Sequence, residues 1–279
     1  MTDTEQWETE GYLVFRSVYD GRTVDRLRLI SDDCLTKWRG CSPEIGKQGG
    51  DPESTVMRHL NHTGYFPDKV DRLSDILDAV ADPNILEKVT EILGETPLFR
   101  ATSYFFNPLS GGGDGNWHRD SQFNTSDDDA EQKLIKQRLK TESGIQMQIA
   151  LSASEDIEFV PGSILRWDTP DEYHIRKADN QTHNRSNEMP NAKRIDLAPG
   201  DAAMFNPMGL HRGRYHVDRL RRTLMWTYTK RSKPHCDYFS MQPWCLEEGY
   251  LLGVKQETKQ FFEDFINIYQ AFWQTQLRM

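Results

Sequence analysis

The sequence predicts a mainly β protein with flanking helices, built as a β-barrel or jelly roll. Short apolar runs rich in β-branched and aromatic residues, separated by Pro-Gly or Pro-Met turns, fill the middle of the 279-residue chain. Amphipathic patterns with helical spacing lie at its two ends. The length suits a single domain over 1–279, with a helical part to about residue 95, a barrel over about 96–232 and a helical extension over about 233–279.

The N-terminal elements follow from local pattern. Gly11–Phe15 is typical of a short strand, and residues 21–39 carry apolar side chains at helical spacing. Residues 46–55 are glycine-rich and polar, which indicates a loop. The helical pattern returns over 67–93 in two pieces, divided at Pro83.

The central strands come next, and a last helix follows them. Strands are predicted at Leu98–Asn107, Ile145–Leu151, Phe159–Leu165, Arg194–Leu197, Ala202–Phe205 and Thr223–Thr229. Between the first two, Gly111–Gly115 predicts a loop, and the charged segment 124–143 predicts a helical excursion that is either a lid or a plain surface insertion. Residues 255–273 form an amphipathic helix with one aromatic side.

Composition excludes several classes of function. Net charge is −9, which argues against generic attraction to nucleic acid or to anionic membranes. No apolar run reaches membrane-spanning length, and the acidic first ten residues do not resemble a targeting peptide. Cys34, Cys41, Cys236 and Cys245 lack zinc-type spacing, so reduced thiols in a cytoplasmic protein are expected. A small-molecule substrate fits best, and the oligomeric state stays open.

Trp117-His118-Arg119-Asp120 is the most informative motif. In an extended segment, His118 and Asp120 point to the same side of the backbone because successive residues alternate. With a distant second histidine, the two can form the His-carboxylate-His facial triad of non-heme Fe(II) oxygenases, which leaves coordination positions open. We therefore predict a metal centre of His118, Asp120 and His211, which are also the predicted catalytic residues.

The chain contains three His-x-Asp pairs, and their positions favour His118/Asp120 as the metal-binding pair. Chance gives roughly one His-x-acid pair in a chain with 8 histidines and 43 acidic residues, yet His216/Asp218 and His235/Asp237 also occur. We assume that the second histidine ligand follows the His-x-Asp pair in sequence. His235 is then excluded because it is the last histidine of the chain. His216 is excluded because the one histidine after it, His235, is too close for strands to lie between them. About 90 residues separate His118 from His211, enough for five or six strands. We predict that His216 and His235 bind no iron.

An anionic co-substrate requires a fixed positive partner, and arginine binds a carboxylate through two parallel hydrogen bonds. Arg221 and Arg222 begin a predicted strand, so they point to opposite faces. Arg221 shares its face with threonines and a methionine, whereas Arg222 shares its face with large packing residues, which favours Arg221 as the cofactor-binding residue. Gln146 is a second candidate cofactor-binding residue, since its side chain could form hydrogen bonds inside the barrel.

Residues 212–233 contain eight basic residues and one acid, Asp218. This span is either a local field that attracts an anionic substrate or a solvated surface.

At this level of detail the sequence resembles the phytanoyl-CoA dioxygenase family of Fe(II)/2-oxoglutarate-dependent oxygenases. The resemblance covers most of the chain and is carried by four ordered segments: Trp117–Asp120, Ala150-Leu151 leading to Phe159–Ser163, Pro199–Asp201 through Leu210-His211, and Arg221–Leu224.

The resemblance implies a double-stranded β-helix, with Fe(II) held by His118, Asp120 and His211. It implies that an arginine beyond the distal histidine binds 2-oxoglutarate; the usual spacing favours Arg222, whereas the residue pattern aligns Arg221. O2 is the other co-substrate, and succinate and CO2 are released. Halogenating relatives lack the carboxylate ligand, so Asp120 favours hydroxylation of an unactivated C–H. Desaturation, cyclisation or epimerisation at the same centre, and a cupin-like binding module or isomerase without 2-oxoglutarate, are the alternatives.

Overall fold

The computed structural model describes residues 1–40, 50–67, 70–141 and 144–276, and its strands form two antiparallel sheets. The strands are β1 Tyr12–Phe15, β2 Val56–Arg58, β3 Pro97–Phe106, β4 Gly112–Asp114, β5 Ile145–Ala150, β6 Ser154–Phe159, β7 Lys193–Leu197, β8 Ala202–Phe205, β9 His211–His216 and β10 Arg222–Lys230. The larger sheet has the order β1-β8-β5-β10-β3-β2, and the smaller has β4-β9-β6-β7. The predicted fold class, a jelly-roll barrel with flanking helices, is confirmed.

The helices lie mainly before β3, around the β5–β7 region and after β10. They are α1 Asp3–Glu10, α2 Gly21–Gly40, α3 Val70–Val80, α4 Pro83–Leu93, α5 Asp128–Thr141, α6 Pro170–Arg176, α7 Ala178–Gln181 and α8 Gln256–Gln276. Asp82 caps α4 through its side chain, Pro83 occupies the first turn, and Gly94 ends the helix in a left-handed conformation. None of the helices in the described ranges is long and apolar enough to span a membrane.

Alternation along β10 separates the outer core from the barrel interior. Leu224, Trp226 and Tyr228 belong to a large apolar cluster that also contains buried residues of α2, α3, α4 and α8. On the opposite side of the strand, Met225 and Thr227 line a cavity of about 750 Å³. A second cluster, with Ile157 and Phe159 of β6 and Phe205 of β8, fills part of the space between the sheets. The cavity is therefore the unfilled part of the barrel.

Two local predictions were wrong. The predicted loop at Gly111–Gly115 contains β4, which pairs with β9 in the register Gly112↔His216. A Cβ atom on Gly112 would lie 2.2 Å from the carbonyl oxygen of Tyr215, so glycine permits this close pairing.

The strand predicted at Phe159–Leu165 instead ends at Phe159. Gly162 turns with φ of 72°, and Ser163–Leu165 is a 3₁₀ turn. The true strand, β6, contains three acids, and Glu158 among them is buried because Arg212 and Arg194 neutralise it.

The remaining predictions have mixed outcomes. The helical excursion in 124–143 is present as α5. The predicted loop over 46–55 lies partly outside the described residues, and Cys41 lies wholly outside them. The single-domain organisation and its division near residues 95 and 232 stay predictions.

Candidate metal centre

His118 and His211 are brought together by the backbone. Each donates its amide hydrogen to the other's carbonyl oxygen, with both N–O distances 3.0 Å, as an isolated antiparallel bridge. Directly opposed residues in such a pair project side chains from the same face. The two imidazole rings lie with centroids 4.2 Å apart.

The hydrogen bonds of the two rings orient them alike. Nδ1 of His118 lies 2.7 Å from the carbonyl oxygen of Asn116, and Nδ1 of His211 lies 2.9 Å from that of Gly209. Because a carbonyl oxygen only accepts, each Nδ1 carries the hydrogen and each Nε2 presents a lone pair, as in protein metal ligands. Burial, reinforced by His118, lowers the pKa of His211 to about 4, so this ring is neutral at pH 7.

Asp120 supplies the carboxylate. Its Oδ1 lies 3.8 Å from Nε2 of His118 and 3.8 Å from Nε2 of His211. A metal ion about 2.1 Å from each donor can bridge atoms up to about 4.2 Å apart. One donor atom from each of the three residues lies within 4.8 Å of the others. Two imidazoles and a carboxylate on a cavity wall fit the facial triad of a non-heme iron centre.

Gln146 contacts the proposed carboxylate ligand. Its Nε2 donates to Oδ2 of Asp120 over 2.7 Å, which leaves Oδ1 directed at the two histidines. The contact orients the carboxylate as hydrogen-bonded partners of metal ligands do. Binding of 2-oxoglutarate by Gln146 stays a prediction.

The structure places the two other His-x-Asp histidines differently. His216 Nε2 lies 2.9 Å from Asp114 Oδ1. His235 lines the cavity, but is not among the clustered donors. In the described ranges one further group, His174, Asp179 and His183, also has metal-compatible spacing; its residues are exposed and do not line the cavity.

Arg221 and Arg222 point to opposite sides, as adjacent residues at the start of a strand should. Arg221 is only 1% exposed; its guanidinium donates to the carbonyl oxygen of Arg214 and to Oε1 of Gln148, which lines the cavity. Its Cζ lies 4.4 Å from the ring centre of Tyr215 and 5.1 Å from that of Phe105. No carboxylate among the described residues forms an ion pair with it, and its buried Nε has no hydrogen-bond partner.

Arg222, by contrast, is neutralised. Its Nε lies 2.6 Å from Oδ1 of Asp32 on α2, and its Nη1 donates to Asn107. The structure therefore directs Arg221 toward the barrel interior and commits Arg222 to a contact with α2.

The basic span 212–233 is largely neutralised by acids from other segments. Five of its side chains form ion pairs: Arg212 with Glu158, Arg214 with Asp114, Arg219 with Glu155, Arg222 with Asp32 and Arg231 with Asp264. Neither predicted alternative, an open basic field or a purely solvated surface, describes this arrangement.

Sequence reasoning missed the support behind the metal centre. Arg119, between two of the proposed ligands, is fully buried and donates to Asp168 and to the carbonyl oxygens of Ser163 and Met208. Asp168 also accepts from Arg176, which in turn contacts Glu131 of α5. This buried charge network ties the ligand segment to α5 and α6.

Fold and donor set together define a class of protein: a double-stranded β-helix with a His-Asp-His donor set that could hold a metal ion, the architecture of non-heme iron oxygenases. The chain belongs to the phytanoyl-CoA dioxygenase family, whose sequence model matches residues 7–222. Members of this family are non-heme iron, 2-oxoglutarate-dependent enzymes, and iron and 2-oxoglutarate are their cofactors. Among curated protein sequences, none matches significantly.

Solved structures share the fold at low sequence identity. AviO1 from Streptomyces viridochromogenes Tue57 is 14% identical, with a TM-score of 0.57 over 83% of this chain and 95% of that one. EctD from S. alaskensis with bound Fe is 13% identical, with a TM-score of 0.57 over 83% and 78%. SnoN, a non-heme alpha-ketoglutarate-dependent epimerase from nogalamycin biosynthesis, is 16% identical, with a TM-score of 0.55 over 82% and 79%.

Proposed function

We propose that this protein is an Fe(II)- and 2-oxoglutarate-dependent oxygenase that hydroxylates an unactivated C–H of a small molecule and releases succinate and CO2. One observation carries the proposal: Asp120 Oδ1 faces the Nε2 atoms of both His118 and His211 at 3.8 Å, on the wall of an internal cavity. Family membership supplies the chemistry that this donor set supports.

The roles of the chain's residues follow from their contacts. His118, Asp120 and His211 would hold the iron, and Gln146 would fix the free carboxylate oxygen. Arg221 would bind the distal carboxylate of 2-oxoglutarate, for which its buried guanidinium has no competing acid in the described part of the chain. Bound iron and 2-oxoglutarate supply the oxidant from O2, and the barrel positions the substrate and limits the access of water.

Succinate formation tests the proposal. Purified protein with Fe(II), O2, 2-oxoglutarate and a panel of small organic substrates should release succinate, whereas protein treated with a chelator should not. The panel is needed because turnover without a substrate is slow. The assignment as an oxygenase would be contradicted if the protein bound iron but released no more succinate than the chelator-treated control with every substrate of the panel.

The two adjacent arginines provide a prediction about the co-substrate. Arg221→Gln should raise the Kd for 2-oxoglutarate by roughly 10- to 100-fold, because a charge-assisted hydrogen bond contributes about 1.5–3 kcal/mol. Arg222→Gln should change it less than about threefold, since Arg222 binds Asp32. The measurement is titration of 2-oxoglutarate into Fe(II)-loaded protein without oxygen. A larger effect at Arg222 would reverse the assignment.

Epimerisation, ring closure and desaturation are the alternative outcomes at the same centre. The structurally similar proteins include an epimerase, SnoN, and a carbocyclase, SnoK, both described as non-heme alpha-ketoglutarate-dependent. Product analysis separates the outcomes: hydroxylation adds one oxygen atom, desaturation and ring closure each remove two hydrogens, and epimerisation leaves the mass unchanged.

A further inference from the structure

Arg58 faces the cavity from the edge of the larger sheet. Arg58 ends β2 and lies opposite Ser103 of β3 in the antiparallel register. Its Nη1 donates to Ser103 Oγ over 2.9 Å, and its side chain lines the cavity that also contains the three proposed iron ligands. Cζ lies 5.5 Å from the ring centre of Phe105 and 5.3 Å from that of Phe239.

Arg58 differs from the two other arginines that line this cavity. Arg100 forms an ion pair with Asp237, and Arg212 with Glu158. Arg58 has no carboxylate within 4.0 Å in the described ranges, and its one hydrogen bond there goes to a hydroxyl group. A guanidinium has five N–H donors, so most of its hydrogen-bonding capacity is not used by the described residues.

The two arginines that contact Phe105 differ in what can neutralise them. Cζ of Arg58 lies 5.5 Å from the centre of this ring, and Cζ of Arg221 lies 5.1 Å from it. The distal carboxylate of 2-oxoglutarate neutralises Arg221 under the proposed function, and its other carboxylate belongs at the metal. Arg58 would then remain a partly buried cation with no ion-pair partner among the described residues, which is costly in a low-dielectric site.

We propose that Arg58 binds an anionic group of the primary substrate, so that the substrate class of this enzyme is an organic anion. This inference rests on the proposed function and names the substrate class of the same site. The planar fork of arginine matches a carboxylate, sulfonate or phosphate. Apolar lining residues beside Arg58, among them Val56, Phe105, Met225 and Phe239, suit a hydrocarbon or aromatic body attached to that group.

A matched pair of fluorescent probes tests the proposal on metal-free protein. The anion 8-anilinonaphthalene-1-sulfonate and neutral N-phenyl-1-naphthylamine share one aromatic frame and differ by the sulfonate. Arg58→Gln should raise the Kd of the sulfonate about tenfold or more and change that of the neutral probe less than about twofold, because a charge-assisted bond is lost while the apolar contacts remain.

Arg39→Gln is the control. Arg39 also lies over a phenylalanine ring, Phe106, at 5.0 Å and makes one hydrogen bond to a carbonyl oxygen, but it does not line the cavity. This variant should change neither Kd, and the expected pattern with Arg58→Gln supports the proposal. Equal weakening of both probes, or no weakening of the sulfonate, would overturn it.

A second titration separates substrate binding from co-substrate binding. Arg58→Gln should leave the Kd for 2-oxoglutarate on anaerobic Fe(II)-loaded protein within about threefold of the wild-type value, since Arg221 is the proposed partner. A loss comparable with that of Arg221→Gln would reassign Arg58 to the co-substrate and overturn the inference. The probe titrations contain no iron, so failure of the oxygenase assignment would leave their result readable.

Discussion

Replacing His211 with alanine is expected to remove the metal ion from the cavity. His211 supplies one of three donor atoms, and its Nδ1 is already committed to the carbonyl oxygen of Gly209. Loss of a hydrogen-bonded partner of a metal ligand typically costs about 10- to 100-fold in affinity. Loss of the ligand itself should therefore exceed about 100-fold, and succinate formation should cease. Equilibrium dialysis with Co(II) measures the binding.

Dialysis must count only the ion in the cavity. The exposed group of His174, Asp179 and His183 could also take up Co(II), so all proteins should carry His183→Ala. His216→Ala is the matched control, because His216 also begins a His-x-Asp pair but is bound to Asp114. It should retain one ion per chain. Equal retention by the His211→Ala protein would show that the centre does not depend on that residue.

The sequence was sufficient to predict the parts of the fold that depend on periodicity. Alternation along β10 separates Met225 and Thr227, which line the cavity, from Leu224 and Trp226, which pack in the outer core. The same alternation places Arg221 and Arg222 on opposite sides. The return of His211 to His118 was predictable because strands between them can bring distant residues into register.

Elements stabilised by distant partners could not be predicted from local pattern. β4 is a glycine-rich segment, and only its pairing with β9 makes it a strand. β6 has a polar sequence because it contains three acidic residues. The arginines that allow Glu158 to be buried come from β7 and β9, at least 36 residues away in sequence. Arg58 lies on a three-residue strand that exists through pairing with β3. Periodicity within such segments contains no information about those partners.

The buried charge network presents the same difficulty in its strongest form. Arg119, Asp168, Arg176 and Glu131 are residue types that are nearly always solvated. Their side chains here are completely inaccessible, which is tolerable because each charge has an opposite partner. Only the assembled structure reveals that a polar-looking segment is part of the support for the metal centre.

Arg119→Met is expected to lower the free energy of unfolding by about 3–5 kcal/mol, the usual cost of removing one member of a buried ion pair. The substitution would remove the hydrogen bonds from Arg119 to the carbonyl oxygens of Ser163 and Met208, and one of the two arginines that pair with Asp168 in the described part of the chain. Because Arg119 separates two proposed ligands, Co(II) affinity of the folded variant should also fall, by about 10- to 100-fold. Urea unfolding and dialysis at low temperature measure the two effects.

Arg231→Met isolates the contribution of burial. Arg231 also holds a carboxylate through two hydrogen bonds, 2.6 and 2.7 Å to Asp264, but its side chain is 53% exposed. Exposed ion pairs contribute little to stability because water and salt screen them, so this variant should be nearly as stable as the wild type and should bind Co(II) normally. The free energy of unfolding of Arg119→Lys should lie between those of Arg119→Met and Arg231→Met, since an ammonium group keeps the charge but cannot reproduce the planar contacts of a guanidinium. Equal destabilisation by Arg119→Met and Arg231→Met would mean that the network behind the ligands does not stabilise the fold. The supports left for the proposed ligands would then be the β-bridge between His118 and His211 and the hydrogen bond from Gln146 to Asp120.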